Sequence, residues 1–415
     1  MRTAVIGAGI SGLTSAALAL EAGDSVTVYE AEERPGGLLK CTVVEDVLFH
    51  CVGGHVFNSK RKDILDWFWK HFNREADFHK AARHAVVSLP DGSTVDYPIE
   101  NHIYQMPAGM RRRVIADLME IQKAGYTESG NFDDFLRNRF GETLYKEYFA
   151  PYNGKIWGRS LKDVPLEWLE GKLPMPTVPE IMETNICREL ETEMVHSSFW
   201  YPLFGGSQFV IDTLAKGLDI HCNTPVGSIE FKNNKWYING TAYDRVFYTG
   251  NVRNLPEIIK GELSLQGHSG ALKQLEYHGT TAVLCEIDRN PYSWVYMPDL
   301  GHESHRIICT GNFSPNNDQR RRTTATVEFS REMSKAEIEG QLAHIPFNPT
   351  YIAHHWEPCT YPVQTGSTRG TISALKAALH PKSFFLVGRF AEWQYYNQDA
   401  AIGAVLDLFR SISGK

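Results

Sequence analysis

Residues 4–12 read Ala4-Val5-Ile6-Gly7-Ala8-Gly9-Ile10-Ser11-Gly12, and residues 25–30 read Ser25-Val26-Thr27-Val28-Tyr29-Glu30. Between them runs Leu13 to Ala22, rich in alanine and leucine. An apolar triplet, a glycine turn, a helix-forming run and a β-branched run predict a compact strand–helix–strand unit. The glycines serve different ends: Gly7 permits the tight turn, Gly9 lets backbone approach a diphosphate, and Gly12 allows close helix–strand packing. The helix start, with Ile10 and Ser11, offers free N–H groups and the positive end of the helix dipole. Glu30 closes the second strand, where a carboxylate accepts hydrogen bonds from ribose hydroxyls. That acid disfavours a 2′-phosphate, so the expected occupant is FAD or NAD. The fold class is α/β, opening on a Rossmann-type domain.

The following residues choose between the two. Glu30-Ala31-Glu32-Glu33-Arg34-Pro35-Gly36-Gly37-Leu38 resembles the second glycine pair of two-domain flavoproteins such as amine oxidases, protoporphyrinogen oxidases and UDP-galactopyranose mutases. The resemblance implies FAD, with Ala31, Gly36, Gly37 and Leu38 along the cofactor and Arg34 beside its pyrophosphate.

Composition narrows the class. The chain has 415 residues, 42% hydrophobic and 22% charged, enough for a large core with appended subdomains. A net charge of −7 and the lack of basic runs interleaved with aromatics argue against nucleic-acid binding. Seven scattered cysteines without a CxxC pair argue against a disulfide framework or a metal site, and fit a reducing cytoplasm. Neither a signal peptide nor a spanning helix is expected, because the first apolar runs are too short.

Further along, Asp63 to Phe72 has apolar residues at helical spacing, and Val86 to Tyr97 reads as a hairpin around Pro90-Asp91-Gly92. Met106 to Trp168 is mainly helical. Strands are expected at Asp219–Cys222, Val226–Phe231, Trp236–Asn239, Val246–Thr249, Ala282–Ile287, Arg306–Gly311 and Phe384–Gly388, with a closing helix from Ala400 to Ser411.

Later segments look like UDP-galactopyranose mutase of the eukaryotic type. Gly53-Gly54-His55-Val56-Phe57 is similar to that family's flavin-side glycine–histidine loop. Tyr97-Pro98-Ile99-Glu100-Asn101 resembles its uridine-pocket segment, and Tyr152-Asn153-Gly154-Lys155-Ile156-Trp157 its Tyr-x-x-Lys-x-Trp motif. Trp294-Val295-Tyr296 followed by Arg306 resembles its strand pair, and Tyr361-Pro362 a pair near the pyrophosphate. Gly388-Arg389, Tyr395 and Asn397-Gln398-Asp399 look like its C-terminal segment, where arginine faces the flavin, tyrosine binds phosphate and a helix begins beneath the ring.

The resemblance implies a division into an FAD domain (1–80, 205–250 and 375–415), a helical subdomain (106–200) and a substrate domain (81–105 and 251–374) built on an antiparallel sheet of roughly six strands. Val226 is placed at the cofactor. His55 and Arg389 would position the flavin, and Lys172, Arg306, Tyr361 and Tyr395 would bind pyrophosphate. Tyr97, Asn101, Tyr152 and Trp157 would frame the base, with Trp294 and Tyr296 also at the substrate.

The implied reaction is interconversion of pyranose and furanose sugar nucleotides, begun when N5 of reduced FAD attacks the anomeric carbon. A UDP-linked sugar, NAD(P)H or another reductant, and a homo-oligomer are the implied partners. Pyrophosphate suits Arg, Lys and Tyr donors, and uracil suits aromatic faces. Two departures bear on the substrate. Lys172 stands where the family has a mobile-loop arginine, and Glu100 where it has a glutamine. Tyr201-Pro202-Leu203-Phe204-Gly205-Gly206 fits an oxidase of the amine-oxidase or protoporphyrinogen-oxidase kind equally well, which leaves that activity as the alternative.

Overall fold

The computed structural model describes residues 1–127, 129–166, 176–188, 197–317 and 323–413. Five parallel strands form the first sheet, in the order Phe384–Leu386, Arg245–Tyr248, Arg2–Ile6, Ser25–Tyr29, Asp219–His221. Parallel sheets are covered on both faces, so their strands read as apolar runs. Ala4 and Val5 accordingly have no exposure. Helix Ile10–Glu21 crosses from the first strand to its neighbour and packs on Ser207–Ala215 and the closing helix Gln398–Ser413. The helix begins at Ile10 rather than the expected Leu13, because Gly9 takes the N-cap position. That places Ile10, Ser11 and Gly12 in the first turn, whose N–H groups have no helical partner.

A four-stranded sheet, Thr241–Tyr243, Lys235–Ile238, Ile229–Lys232, Ile259–Gly261, packs beside this core. Trp236 seats it, with an unexposed ring 4.7 Å from Phe384 and a bond from Nε1 to the Lys382 carbonyl at 2.7 Å. The expected strand from Val226 starts three residues later, at Ile229, so Val226 lies in the approach to it.

The largest sheet has seven strands, in the order Thr350–Pro362, Tyr277–Glu286, Thr324–Phe329, Arg306–Ile308, Trp294–Tyr296, Ala85–Ser88, Thr94–Asp96. It is antiparallel except at Trp294–Tyr296 with Ala85–Ser88, which run parallel. That joint splices the predicted hairpin onto strands from the other half of the chain, adding one parallel pairing to the expected antiparallel sheet. The Arg306 strand ends at Ile308 instead of Gly311, and Thr310–Phe313 forms a 3-10 turn.

Helices Ala108–Ala124, Phe132–Leu144 and Ala150–Trp157 share one apolar core with Trp294 and Tyr296 of that sheet. Lys155 of the Tyr-x-x-Lys-x-Trp segment ties the two together. Its Nζ donates to the carbonyls of Met297 (3.1 Å), Ser304 (2.9 Å) and Asp299. Burial pushes this lysine down to about 8, so it stays mostly cationic at neutral pH. Lys155→Met strands three acceptors, and losing bonds to a charged donor costs about 1–3 kcal/mol. Thermal melts should show the variant less stable, with proteolysis beginning in the 297–304 loop; an unchanged melt contradicts this clamp.

Buried histidines set the acid limit of the fold. Burial, then the neighbouring His55, push His50 down to about 3. Burial, then Lys155, push His302 down to about 4. Free histidines titrate near 6.5, so below that pH the unfolded chain binds protons that the folded chain refuses. Stability therefore falls as pH drops from about 6.5 to 4, by about 1.4 kcal/mol per pH unit per histidine. Glu328 acts in a lower window, since its depressed value makes its stabilisation vanish only as pH falls from about 4.5 towards 2. Urea midpoints should be clearly lower at about pH 5 than at about pH 7, and equal midpoints would contradict the assignment.

Candidate active site

Two glycine turns meet to form a cleft at the C-terminal end of the parallel sheet, where open α/β folds bind ligands. Gly7 has φ +101°, and a Cβ there would lie 2.4 Å from Thr249 Oγ1. A Cβ on Gly12 would lie 1.9 Å from the Gly7 carbonyl oxygen. Across the cleft, Gly36 donates its N–H to the Ala8 carbonyl at 3.2 Å, and a Cβ on Gly37 would lie 3.1 Å from Gly9 Cα. The turns are thus in backbone contact, which only glycine allows. Glu30 is nearly buried, and its carboxylate accepts from the N–H groups of Ala8 (2.6 Å) and Glu32 (3.0 Å). It therefore locks both turns while also lining the cleft.

The cleft encloses about 770 Å³, mouth included, and is lined by Gly7, Gly9, Ile10, Ser11, Glu30, Gly37 and Leu38 on one side. His55, Arg389, Asn397 and Gln398 line the other. Gly12, Gly36 and Gly388 stand behind this surface. Gly388 has φ +105°, and a Cβ there would meet Ser11 Oγ at 2.8 Å. Three further residues expected at the cofactor are not on this lining. Ala31 is exposed beside the turn. Arg34 donates Nη2 to the Cys41 carbonyl at 2.7 Å, which braces the turn from outside. Val226 packs against the four-stranded sheet's core. A dinucleotide fits this cradle: the helix start has no side-chain cap, and Gln398 Nε2, at the start of the closing helix, is buried without a hydrogen-bond partner.

A second cavity of about 940 Å³ opens beyond the same four residues, His55, Arg389, Asn397 and Gln398. Trp294, Tyr296, Arg306, Tyr361 and Tyr395, the residues expected at the substrate, line it. The Gly53-Gly54-His55 loop presses flat on the large sheet, since a Cβ on Gly54 would lie 2.8 Å from Ile308 and 2.8 Å from Phe313. Burial first, then the charge of Arg389, push His55 down to about 4. It is neutral at physiological pH, and its Nε2 is buried without a hydrogen-bond partner.

Arg389 donates to the backbone carbonyls of Thr360 (3.0 Å, Nη1) and Tyr396 (3.0 Å, Nε), and lies 4.6 Å from the Tyr395 ring centroid. These partners carry no formal charge, so its own is uncompensated by them. Arg306 donates Nε to Glu328 at 2.5 Å and Nη2 to the Tyr361 hydroxyl at 3.0 Å. Tyr361 stacks between Tyr395 (5.4 Å) and His278 (4.8 Å). Burial alone would raise Glu328, but the Arg306 charge and the His305 hydrogen bond hold it down at about 2.

Tyr97, Asn101, Tyr152 and Trp157 are not on the cavity surface. Tyr97 and Tyr152 pack behind it, 4.8 Å and 5.4 Å from Tyr296, Trp157 lies 6.2 Å from His278, and Asn101 is buried in the 3-10 turn Ile99–Gln105. Lys172 lies outside the described residues. Sequence reading missed Arg83, whose Nη2 donates to the Tyr296 hydroxyl at 2.6 Å and whose guanidinium lies 5.1 Å from the Trp294 ring centroid. It also missed Glu328, Thr280 and Thr360, all on the cavity wall, where Asp399 of the C-terminal segment joins them.

Comparison with known proteins agrees with this architecture. Residues 5–72 match the model of the NAD(P)-binding Rossmann-like domain. The UDP-galactopyranose mutase of Mycoplasma genitalium is 20% identical over 421 residues, which cover 96% of this chain and 91% of that protein. The dTDP-fucopyranose mutase of Escherichia coli is 28% identical over 186 residues, covering 41% of this chain and 45% of that one. Among solved structures, a reduced UDP-galactopyranose mutase superposes with TM-score 0.88 at 21% identity, covering 100% of this chain and 94% of its own. A putative protoporphyrinogen oxidase from Exiguobacterium gives 0.74 at 15%, covering 99% of this chain and 98% of its own. The chain thus has the fold of UDP-galactopyranose mutase and resembles curated proteins of that name along nearly its whole length.

Proposed function

We propose that the protein is an FAD-dependent mutase that interconverts pyranose and furanose forms of a nucleoside-diphosphate sugar. One observation carries the reading: a cavity walled by Arg83, Arg306 and Arg389, with Glu328 as a charged counterpart, opens directly onto the dinucleotide cleft. Three guanidinium groups against two carboxylates, Glu328 and Asp399, leave a net positive wall that suits a diphosphate anion. The same charge disfavours a protonated amine, which weighs against an amine oxidase.

Reduced FAD, when bound, supplies the nucleophilic nitrogen that a ring-size exchange without net oxidation requires. The chain supplies position and charge. Gly7, Gly9, Gly37 and the first turn of helix Ile10–Glu21 hold the cofactor diphosphate. Neutral His55 and cationic Arg389 flank the junction of the two cavities. Arg306, Tyr361 and Tyr395 hold the substrate diphosphate, joined by Lys172. Tyr97 and Tyr152 shape the base-binding end through Tyr296, and Asn101 and Trp157 support that end from further inside. NAD(P)H or another donor would reduce the flavin; a cytoplasmic location and a homo-oligomeric assembly complete the reading.

The relatives' names offer two carriers, UDP and dTDP. Titrating the oxidised holoenzyme with UDP, dTDP and putrescine, and following the flavin spectrum, distinguishes these classes. A nucleotide response with none from the amine supports the reading. An amine response accompanied by oxygen consumption overturns it in favour of the oxidase.

A further inference from the structure

Glu328 is the most deeply buried charge beside the cavity, with 1% exposure, and three elements converge on it. Arg306 and Glu328 are register partners on adjacent antiparallel strands. One oxygen, Oε2, meets Arg306 Nε at 2.5 Å and His305 Nε2 at 3.3 Å. The other, Oε1, lies against the flavin-side loop, so close that a Cβ on Gly53 would approach it to 2.2 Å. Gly53 has φ +87°, a conformation natural to glycine.

We infer that Glu328 is a positioning residue that attenuates the Arg306 charge towards the substrate diphosphate while fixing the height of the Gly53-Gly54-His55 loop. This rests on the sugar-nucleotide reading of the cavity. The chemistry calls for such a balance. A diphosphate in this reaction must leave the anomeric carbon, wait, and rejoin. A clamp that holds the free diphosphate too tightly deepens a ground state and slows the return. Glu328 spends part of the Arg306 charge inside the protein. It also fixes the guanidinium plane, so that Nη2 is directed to Tyr361, a cavity-lining hydroxyl.

Glu328→Gln separates the charge from the scaffold, because the amide oxygen still accepts from Arg306 Nε. Removing one negative charge this near a bound anion should tighten its binding by roughly five-fold or more at low salt. The expected result for the holoenzyme, by calorimetry, is a lower Kd for both UDP and inorganic pyrophosphate, with kcat and KM falling together in turnover. A residue of merely structural importance would weaken binding instead. In an Arg306→Gln background the same substitution should tighten both Kd values by clearly less, because only the through-space part of the effect remains once the Arg306 guanidinium is gone.

Unchanged or weaker binding in the parent background overturns the inference. So does equal tightening in both backgrounds, which would make Glu328 only a distant charge. If pyrophosphate follows the expected pattern while UDP does not bind, the nucleotide reading falls and the role of Glu328 stands. If neither binds the parent enzyme, both fall.

Discussion

Gly12→Ala is expected to yield protein without bound flavin. The alanine methyl would sit 1.9 Å from the Gly7 carbonyl oxygen, and neither that backbone oxygen nor the helix backbone carrying the methyl can step aside. The turn and the helix must separate, which displaces the first-turn N–H groups from the cleft. Overpacking of this kind usually costs about 1–3 kcal/mol, and here it falls on the segment that holds the cofactor. The ratio of visible flavin absorbance to protein absorbance reports the outcome. Gly340→Ala provides a control, since that glycine, like Gly12, lies within a helix (Lys335–Leu342) and has open space where the methyl would go. Stoichiometric flavin in Gly12→Ala would contradict the cradle.

Arg306→Ala is expected to raise the Kd for UDP by about 10-fold or more, since a charge-assisted bond contributes about 1.5–3 kcal/mol. The same variant should be less stable. Removing one partner of a buried pair typically costs about 3–5 kcal/mol, because the other charge is left behind. His305 remains beside Glu328, and the open cavity admits water, so the lower end of that range is expected. The double variant Arg306→Ala/Glu328→Gln should regain stability without regaining nucleotide affinity. That split separates the clamp from the scaffold. A Kd unchanged in Arg306→Ala would remove this arginine from the binding site.

Several of these features were legible in the sequence because they are local. The glycine spacing between Gly7 and Gly12, and the acid at Glu30, express a turn whose geometry depends on neighbours along the chain. The helix start was read three residues late, since Gly9 gives no side-chain capping signal of the Ser or Asp type. The cavity wall was harder to read. Glu328 sits in the run Thr324–Phe329, where an alternating strand makes a lone acid look solvent-facing, and only the pairing with Arg306 puts it inside. Arg83 belongs to no motif; the parallel joint between Ala85–Ser88 and Trp294–Tyr296 brings it to the aromatic wall. The strand Thr350–Pro362 went unread because His354, His355 and Glu357 interrupt the apolar alternation. Tyr97, Tyr152 and Trp157 were read as pocket residues; Tyr97 and Tyr152 pack behind Tyr296, and Trp157 lies against His278.

The charge arrangement also explains why two activities looked equally plausible from the N-terminal motif alone. The dinucleotide cradle is shared across this fold, and fold does not determine chemistry. What discriminates is the second cavity, whose guanidinium groups come from Arg83, Arg306 and Arg389, far apart in the chain.

The most direct test is anaerobic turnover. The bound flavin is reduced with dithionite, UDP-galactopyranose and UDP-galactofuranose are added separately, with the dTDP-linked fucoses in parallel, and the sugars are separated chromatographically. The account predicts interconversion of one pair in both directions, with the flavin still reduced at the end and no conversion by the oxidised enzyme. A flavin-loaded, reducible protein that converts neither pair, or that converts a sugar only while its flavin is reoxidised, would contradict a redox-neutral mutase.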